Sequence, residues 1–136
     1  MIHEEICTYE VCKLAKEKGF DVQTFDWYDY TGNYHKGFIP HKLHECPRYK
    51  EYYAPTQSLL QRWLREERGI IVEVIAQPTC STSKKNCYWW SVKQNSDGFC
   101  YQYEECSYLL YSDEGYFDTY ELALEDALDY SLKNLV

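Results

Sequence analysis

The sequence predicts an α+β fold in which three amphipathic helices pack on a small antiparallel β-meander, as a single domain over residues 1–136. Two patterns carry this prediction. Apolar residues recur at helical spacing in three separate stretches, each with a start or stop signal. Between the second and third stretch, β-branched and aromatic runs are separated by turn residues, which is typical of consecutive antiparallel strands. The length of 136 residues suits one ordinary domain.

The first helix is predicted at about residues 4–18. Thr8 is a suitable cap for a shorter version of this helix. Gly19 supplies the left-handed position beyond the last turn, and Phe20 is the apolar residue that commonly follows such an end. The apolar stripe comprises Val11, Leu14 and Ala15.

Residues 21–50 are predicted as a strand followed by a loop. Residues 21–35 are aromatic and partly alternating, which favours a strand that enters a turn at Gly32 and Asn33. Residues 36–50 contain two prolines and two histidines without a clear period. We expect them to form a surface loop.

The second helix is predicted at residues 55–68. Pro55 suits the first helical position, where its missing N–H costs no hydrogen bond. Gly69 and Ile70 repeat the glycine–apolar ending of the first helix. The apolar stripe comprises Leu59, Leu60, Trp63 and Leu64.

Three strands are predicted for the meander, at residues 70–77, 87–94 and 99–105, with a short extra strand at 108–111 as an option. Residues 95–98 have the composition of a hairpin turn. Successive strand residues point to opposite faces, so only one of Trp89 and Trp90 can face the core of the meander. The other needs cover, either from the segment 21–35 or from a second subunit.

The last helix is predicted to begin near Asp118 and to end near Asn134. Asp118 and Glu121 have capping-box spacing, with the aspartate as the cap. Its apolar face comprises Tyr120, Leu124, Ala127, Leu128, Ser131, Leu132 and Leu135.

Composition indicates a cytoplasmic protein. No apolar run approaches the roughly 20 residues that cross a bilayer, and the N-terminal residues lack the pattern of a secretory signal. In a reducing compartment, we expect the seven cysteines to be free thiols, several of them buried.

Charge is unevenly distributed along the chain. Residues 1–93 carry 13 Lys/Arg and 12 Asp/Glu, whereas residues 94–136 carry 10 Asp/Glu and a single basic residue, Lys133. This distribution argues against direct nucleic-acid binding through the last third, because phosphate contacts need Lys and Arg. It is compatible with a solvated face or with an acidic patch that attracts a basic partner.

Three stretches resemble a large group of short uncharacterised proteins encoded by phages, prophages and mobile elements of gut bacteria. They are residues 14–21 (LAKEKGFD), 53–66 (YAPTQSLLQRWLRE) with the strand that follows, and 118–128 (DTYELALEDAL). The resemblance implies a mobile-element origin. It implies no catalytic or binding residue, and the shared residues also serve as helix starts, a buried tryptophan and a leucine stripe.

The best candidate metal site is His41, His44 and Cys46, three potential zinc ligands within six residues of sequence. Cys80 or His35 could supply a fourth donor. The spacing matches no standard zinc motif, so the alternative is a solvated loop with exposed histidines. No phosphate-binding glycine loop or local nucleophile signature is present, so the sequence predicts no cofactor and no catalytic residue.

Three hypotheses for function follow. The leading one is a non-catalytic accessory binding protein of a phage or mobile element that acts through protein–protein contacts, since the chain is small, acidic and rich in tyrosine. The second is a mimic of nucleic-acid charge, which requires the ten acids from Asp97 to Asp129 to form one surface. The third is a zinc-binding or enzymatic domain that uses the 36–50 loop. The partner is expected to be a protein, no membrane association is expected, and the chain is either a monomer or a homodimer.

Overall fold

The computed structural model describes residues 2–37, 51–77, 87–94, 108–111 and 117–136. Within these residues, three helices accompany two small antiparallel sheets, which confirms the predicted α+β class. The elements in chain order are α1 (Tyr9–Glu17), β1 (Trp27–Tyr28), β2 (Tyr34–His35), β3 (Tyr52–Tyr53), α2 (Gln57–Arg68), β4 (Ile70–Gln77), β5 (Cys87–Gln94), β6 (Tyr108–Tyr111) and α3 (Tyr120–Asn134).

Helix α1 is the shorter of the two predicted versions. Thr8 is its N-cap and accepts a hydrogen bond from the Val11 N–H. The prediction of a helix from residue 4 was wrong, because the preceding residues are extended and pair with the chain before α2. The predicted C-terminal end is correct: Gly19 has a φ of 96°, and the Phe20 N–H donates to the Ala15 carbonyl at 2.9 Å.

Helix α2 begins two residues later than predicted. Its N-cap is Thr56, whose side chain accepts a hydrogen bond from the Leu59 N–H. Pro55 therefore precedes the cap instead of occupying the first helical position, because a Thr hydroxyl satisfies an otherwise unpaired N–H and a proline cannot. Gly69 ends the helix in the left-handed conformation, as predicted.

Helix α3 is capped by Thr119, not by Asp118. The Thr119 hydroxyl accepts a hydrogen bond from the Leu122 N–H at 3.1 Å. The predicted start was thus one residue early, since a threonine with extended backbone directly before the helix is itself a good cap. The predicted apolar face is largely correct, but Tyr120 is exposed. The buried residues of α3 are Ala123, Leu124, Ala127, Leu128, Ser131 and Leu132.

The first sheet has the order β2-β1-β3 and was only partly predicted. Strands β1 and β2 form a hairpin around Gly32, which agrees with the predicted turn. The pairing of β1 with β3 through Trp27–Tyr53 and Tyr28–Tyr52 was not predicted. It depends on a contact between segments far apart in sequence.

The second sheet has the order β4-β5-β6. Strands β4 and β5 have the predicted bounds, and the optional strand at 108–111 is present and pairs with β5. The predicted strand at 99–105 and the turn at 95–98 lie outside the described residues. Trp90 is buried, and its indole N–H donates to Asp126 on α3 at 2.7 Å, whereas Trp89 is half-buried on the opposite face.

The core contains residues from all three helices and from both sheets. Cys7 and Cys12 are buried free thiols, as expected, but Cys87 is disulfide-bonded, which corrects the expectation of a free thiol at that residue. The cysteines at positions 46, 80, 100 and 106 lie outside the described residues. Several tyrosines pack in or against the core. The ring of Tyr9 contacts those of Tyr28 and Tyr52 edge-on. No helix in the described ranges is long and apolar enough to cross a membrane.

Candidate binding cleft

A cleft of about 670 Å³ lies between the N-terminal segment, the stretch 23–26 and the outer face of α2. We refer to it as the α2 cleft. Concave surfaces of this size commonly bind ligands or side chains of partners. The lining residues that bear on its chemistry are Glu4, Ile6, Phe25, Asp26, Leu59, Arg62 and Arg65.

Backbone hydrogen bonds hold the first wall of the cleft against the start of α2. The Cys7 N–H donates to the Pro55 carbonyl at 3.0 Å, and the Gln57 N–H donates to the Glu5 carbonyl at 2.9 Å. Ile6 pairs with Thr56 as an antiparallel bridge between these bonds. The N-terminal segment is therefore fixed as an extended chain although it belongs to no strand.

The second wall is a turn centred on Phe25. The Ala54 N–H donates to the Asp26 carbonyl at 3.0 Å and to the Thr24 hydroxyl at 3.1 Å. The same hydroxyl donates to the Asp26 carbonyl at 2.8 Å. These bonds constrain both neighbours of Phe25, and its side chain stands 75% exposed beside the cleft.

Helix α2 supplies the third wall through residues spaced by three and four positions. Ser58, Arg62 and Arg65 lie on one helical face because residues at this spacing are neighbours on a helix surface. Leu59 lies beside them and is half-buried. The wall thus carries an apolar side chain near the N-terminus of α2 and two guanidinium groups further along.

The acids of the cleft already have donors. The Ser58 hydroxyl donates to Glu4 Oε1 at 2.9 Å. Asp26 Oδ1 accepts the Gly37 N–H at 3.2 Å, and Asp26 Oδ2 accepts a short hydrogen bond from the Tyr34 hydroxyl. Desolvation, followed by this contact with Asp26, raises the pKa of Tyr34 to about 12, so the phenol remains a donor at neutral pH.

Within the described ranges, the two arginines of the cleft have fewer hydrogen-bond partners than the acids. Arg62 Nε donates to Glu66 Oε1 at 2.9 Å, but both side chains are at least half exposed, and such pairs contribute little. Arg65 is exposed, and no hydrogen-bond or ion-pair partner for it occurs in the described part of the chain. The cleft therefore offers an exposed guanidinium group, without a partner among the described residues, on the same helix as the apolar Leu59.

The predicted zinc ligands His41, His44 and Cys46 lie outside the described residues, as does Cys80, so the zinc site stays a prediction. No group of three or more His, Cys, Asp or Glu side chains suited to a metal occurs within the described ranges.

His35, the other proposed fourth donor, belongs to the β1–β2 hairpin. Its Nε2 atom lies 2.8 Å from Asp29 Oδ2, and its ring stacks on Trp27 with 4.3 Å between the centroids. Asp29 also accepts hydrogen bonds from Thr31 and from the Asn33 N–H within the turn. These contacts stabilise the hairpin.

Five of the ten acids from Asp97 to Asp129 lie within the described residues. Glu125 accepts hydrogen bonds from Thr8 and Gln57, and Asp126 accepts one from Trp90. These two carboxylates therefore link α3 to its neighbours. Asp118, Glu121 and Asp129 lie on α3 or directly before it, and the other five acids lie outside the described residues.

Sequence reasoning missed the α2 cleft. Phe25 lies in the segment 21–35 that was predicted as a strand, and the predicted apolar stripe of α2 includes neither Arg62 nor Arg65. One signal was present: an arginine pair at helical spacing beside Leu59 on an otherwise amphipathic helix. The pairing of residues 5–7 with 55–57, which completes the cleft, leaves no local pattern. No protein-family model, curated protein or solved structure matches this chain.

Proposed function

We propose that this chain is a non-catalytic protein-binding domain that recognises its partner through the α2 cleft. The observation that carries the proposal is that the exposed Phe25 ring and the exposed Arg65 guanidinium line the same concave surface. Aromatic and arginine side chains are the residue types that contribute most to protein–protein binding. The resemblance to phage and mobile-element proteins supports an accessory role in such an element.

The chemistry of the cleft defines the partner segment. An apolar side chain of the partner would be covered by Phe25, Ile6 and Leu59. A carboxylate of the partner would bind Arg65, because the guanidinium has no hydrogen-bond partner among the described residues and the cleft acids accept their bonds from other donors. We therefore propose an exposed segment in which an apolar residue lies close to Asp or Glu.

The test is selection of random twelve-residue peptides against the full chain, followed by affinity measurement of the enriched peptides. We expect the enriched sequences to combine an apolar residue with an acid. Arg65→Ala should weaken binding at least about tenfold, since a hydrogen bond to a charged group contributes about 1.5–3 kcal/mol. Phe25→Ala should have an effect of similar size, since burial of a large apolar side chain contributes about 1.5–3 kcal/mol. Both side chains are exposed, so neither variant should change the fold.

Lys133→Ala is the matched control, because it removes the same charge from α3 outside the cleft. It should leave peptide affinity unchanged. Enriched peptides that bind the Phe25 and Arg65 variants as tightly as the parent would rule out the α2 cleft as the binding site.

A further inference from the structure

Strand β4 forms one edge of its sheet in the described part of the chain, with β5 on its other side. It is eight residues long, it is rich in valine and isoleucine, and Glu73 is its only charged residue. Long edge strands with few charges pair readily with another strand, and proteins usually shorten, charge or cover them. The main-chain groups along this edge therefore determine what it can bind.

Two hydrogen bonds on β5 identify the β4 groups that point outward. Tyr88 exchanges both main-chain hydrogen bonds with Phe117, at 2.9 and 2.7 Å. Its N–H and carbonyl are therefore not directed at Ala76, its partner on β4. Antiparallel ladders alternate between pairs that exchange hydrogen bonds and pairs that do not. Ala76, Val74 and Val72 consequently direct their N–H and carbonyl groups away from β5.

A contact from α2 independently supports this direction and limits the open stretch. Gln61 Nε2 donates to the Val72 carbonyl at 2.7 Å, which places that carbonyl on the outer side of β4. Beyond this contact the edge is less covered, since Val74 is half-buried and Ala76 is exposed, whereas Val72 is buried. The open part of the edge begins at Val74.

We propose that a second copy of this chain pairs here, with the two β4 strands antiparallel about a twofold axis at Ile75. This register places Val74 of each copy opposite Ala76 of the other, and each pair exchanges both main-chain hydrogen bonds. This pairing does not use the main-chain groups of Val72, so the Val72 carbonyl keeps its hydrogen bond from Gln61. Ile75 lies opposite Ile75 of the second copy. The two residues form a pair without hydrogen bonds, in which side chains approach most closely.

The β4 sequence is compatible with itself in this register. Glu73 lies opposite Gln77 of the second copy, so no like charges face each other. A twofold arrangement uses the same surface on both copies, and one open strand end is therefore sufficient. None of Val74, Ile75 and Ala76 lines the α2 cleft, so this site is separate from the proposed function.

The test measures amide hydrogen exchange and sedimentation on the full chain over roughly a hundredfold range of concentration. We expect a monomer–dimer equilibrium in which the Val74 and Ala76 amides exchange more slowly as the dimer forms. The Glu73 and Ile75 amides, which bond to β5, should be protected at every concentration.

Ala76→Pro provides the matching variant. Proline removes an N–H that points away from β5, and edge strands tolerate proline at such positions. The variant should weaken dimerisation at least about tenfold, whereas Ala76→Thr, which keeps the N–H, should not.

A chain that remains monomeric throughout the range would overturn the proposal. So would a dimer whose Val74 and Ala76 amides exchange as in the monomer. Protection of these amides only after addition of another protein would assign the edge to a different partner and would equally overturn pairing with a second copy.

Discussion

The carboxylate of Glu125 accepts two hydrogen bonds from Thr8, one from its N–H at 2.8 Å and one from its hydroxyl at 2.7 Å. Its other oxygen accepts the side-chain amide of Gln57 at 2.8 Å. Thr8 caps α1, and Gln57 is the first residue of α2. One side chain of α3 therefore links the N-terminal ends of the other two helices.

Glu125→Ala should lower the free energy of unfolding by about 2–3 kcal/mol, because it removes a charged acceptor and leaves the buried Gln57 amide with fewer partners. Urea unfolding followed by tryptophan fluorescence measures the change. Glu121→Ala, one turn earlier on α3 and exposed, is the control and should change stability by no more than about 0.5 kcal/mol. Equal effects of the two substitutions would show that the Glu125 contacts contribute nothing specific.

The N-cap of α3 can be tested with two neighbouring residues. Thr119→Ala should cost about 1 kcal/mol of stability, because the Leu122 N–H loses its acceptor. Asp118→Ala should cost less than about 0.5 kcal/mol, through the helix dipole alone. Thermal or urea unfolding compares the two variants. A larger loss of stability in Asp118→Ala than in Thr119→Ala would show that the aspartate is the cap.

The buried thiols should make the protein less stable at alkaline pH. Burial, and then the charge of Glu125, raises the pKa of Cys7 and of Cys12 well above the usual range. The folded chain keeps these protons, whereas the unfolded chain loses them above a pKa of about 8.5. Stability from each thiol is therefore fully present below that pH and falls by about 1.4 kcal/mol per pH unit above it.

Urea unfolding between pH 8 and pH 10 under reducing conditions checks this expectation. Cys12→Ala should reduce the slope of the free energy of unfolding against pH by the amount due to one thiol. Val11→Ala, a nearby core truncation, should lower stability by a similar amount at every pH and leave the slope unchanged. An unchanged slope in Cys12→Ala would mean that this thiol ionises in the folded protein.

The β1–β2 hairpin should respond to acid. The side-chain hydrogen bond from Thr31, and then that from His35, holds the pKa of Asp29 well below its usual range. A depressed folded-state pKa means that the stabilisation is present above the unfolded value of about 3.9 and is lost as the pH falls towards the folded value. NMR amide shifts of Thr31 and Asn33 should therefore show no titration step at the ordinary aspartate value of about 3.9, and the step due to Asp29 should occur only at lower pH.

Asp29→Asn is the control for the acid response, because an amide cannot titrate in this range. Its Thr31 and Asn33 shifts should lack the step that Asp29 produces below about pH 4. A midpoint in the parent at the ordinary aspartate value would show that the turn does not favour the charged carboxylate.

Local patterns account for most of the helices and strands. The end of α1 at Gly19, the end of α2 at Gly69 and the bounds of β4 and β5 follow from neighbouring residues in sequence, because left-handed helix ends and β-branched runs are short-range effects. Helix starts were predicted less accurately. At α2 and α3, a threonine and a nearby proline or aspartate are both suitable residues for the start of the helix. Only the hydrogen bond that each threonine side chain accepts shows which residue is the cap.

The sequence by itself determined the α+β class and most of the secondary structure, since these depend on spacing and on residues a few positions apart. Only the tertiary structure brought together the two surfaces for which we propose binding. The α2 cleft joins residues 4–6, 23–26 and 58–65, and the direction of the β4 edge follows from the two hydrogen bonds between Tyr88 and Phe117. Both depend on contacts between distant segments, whose free energy comes from packing and leaves no periodic signal in the sequence.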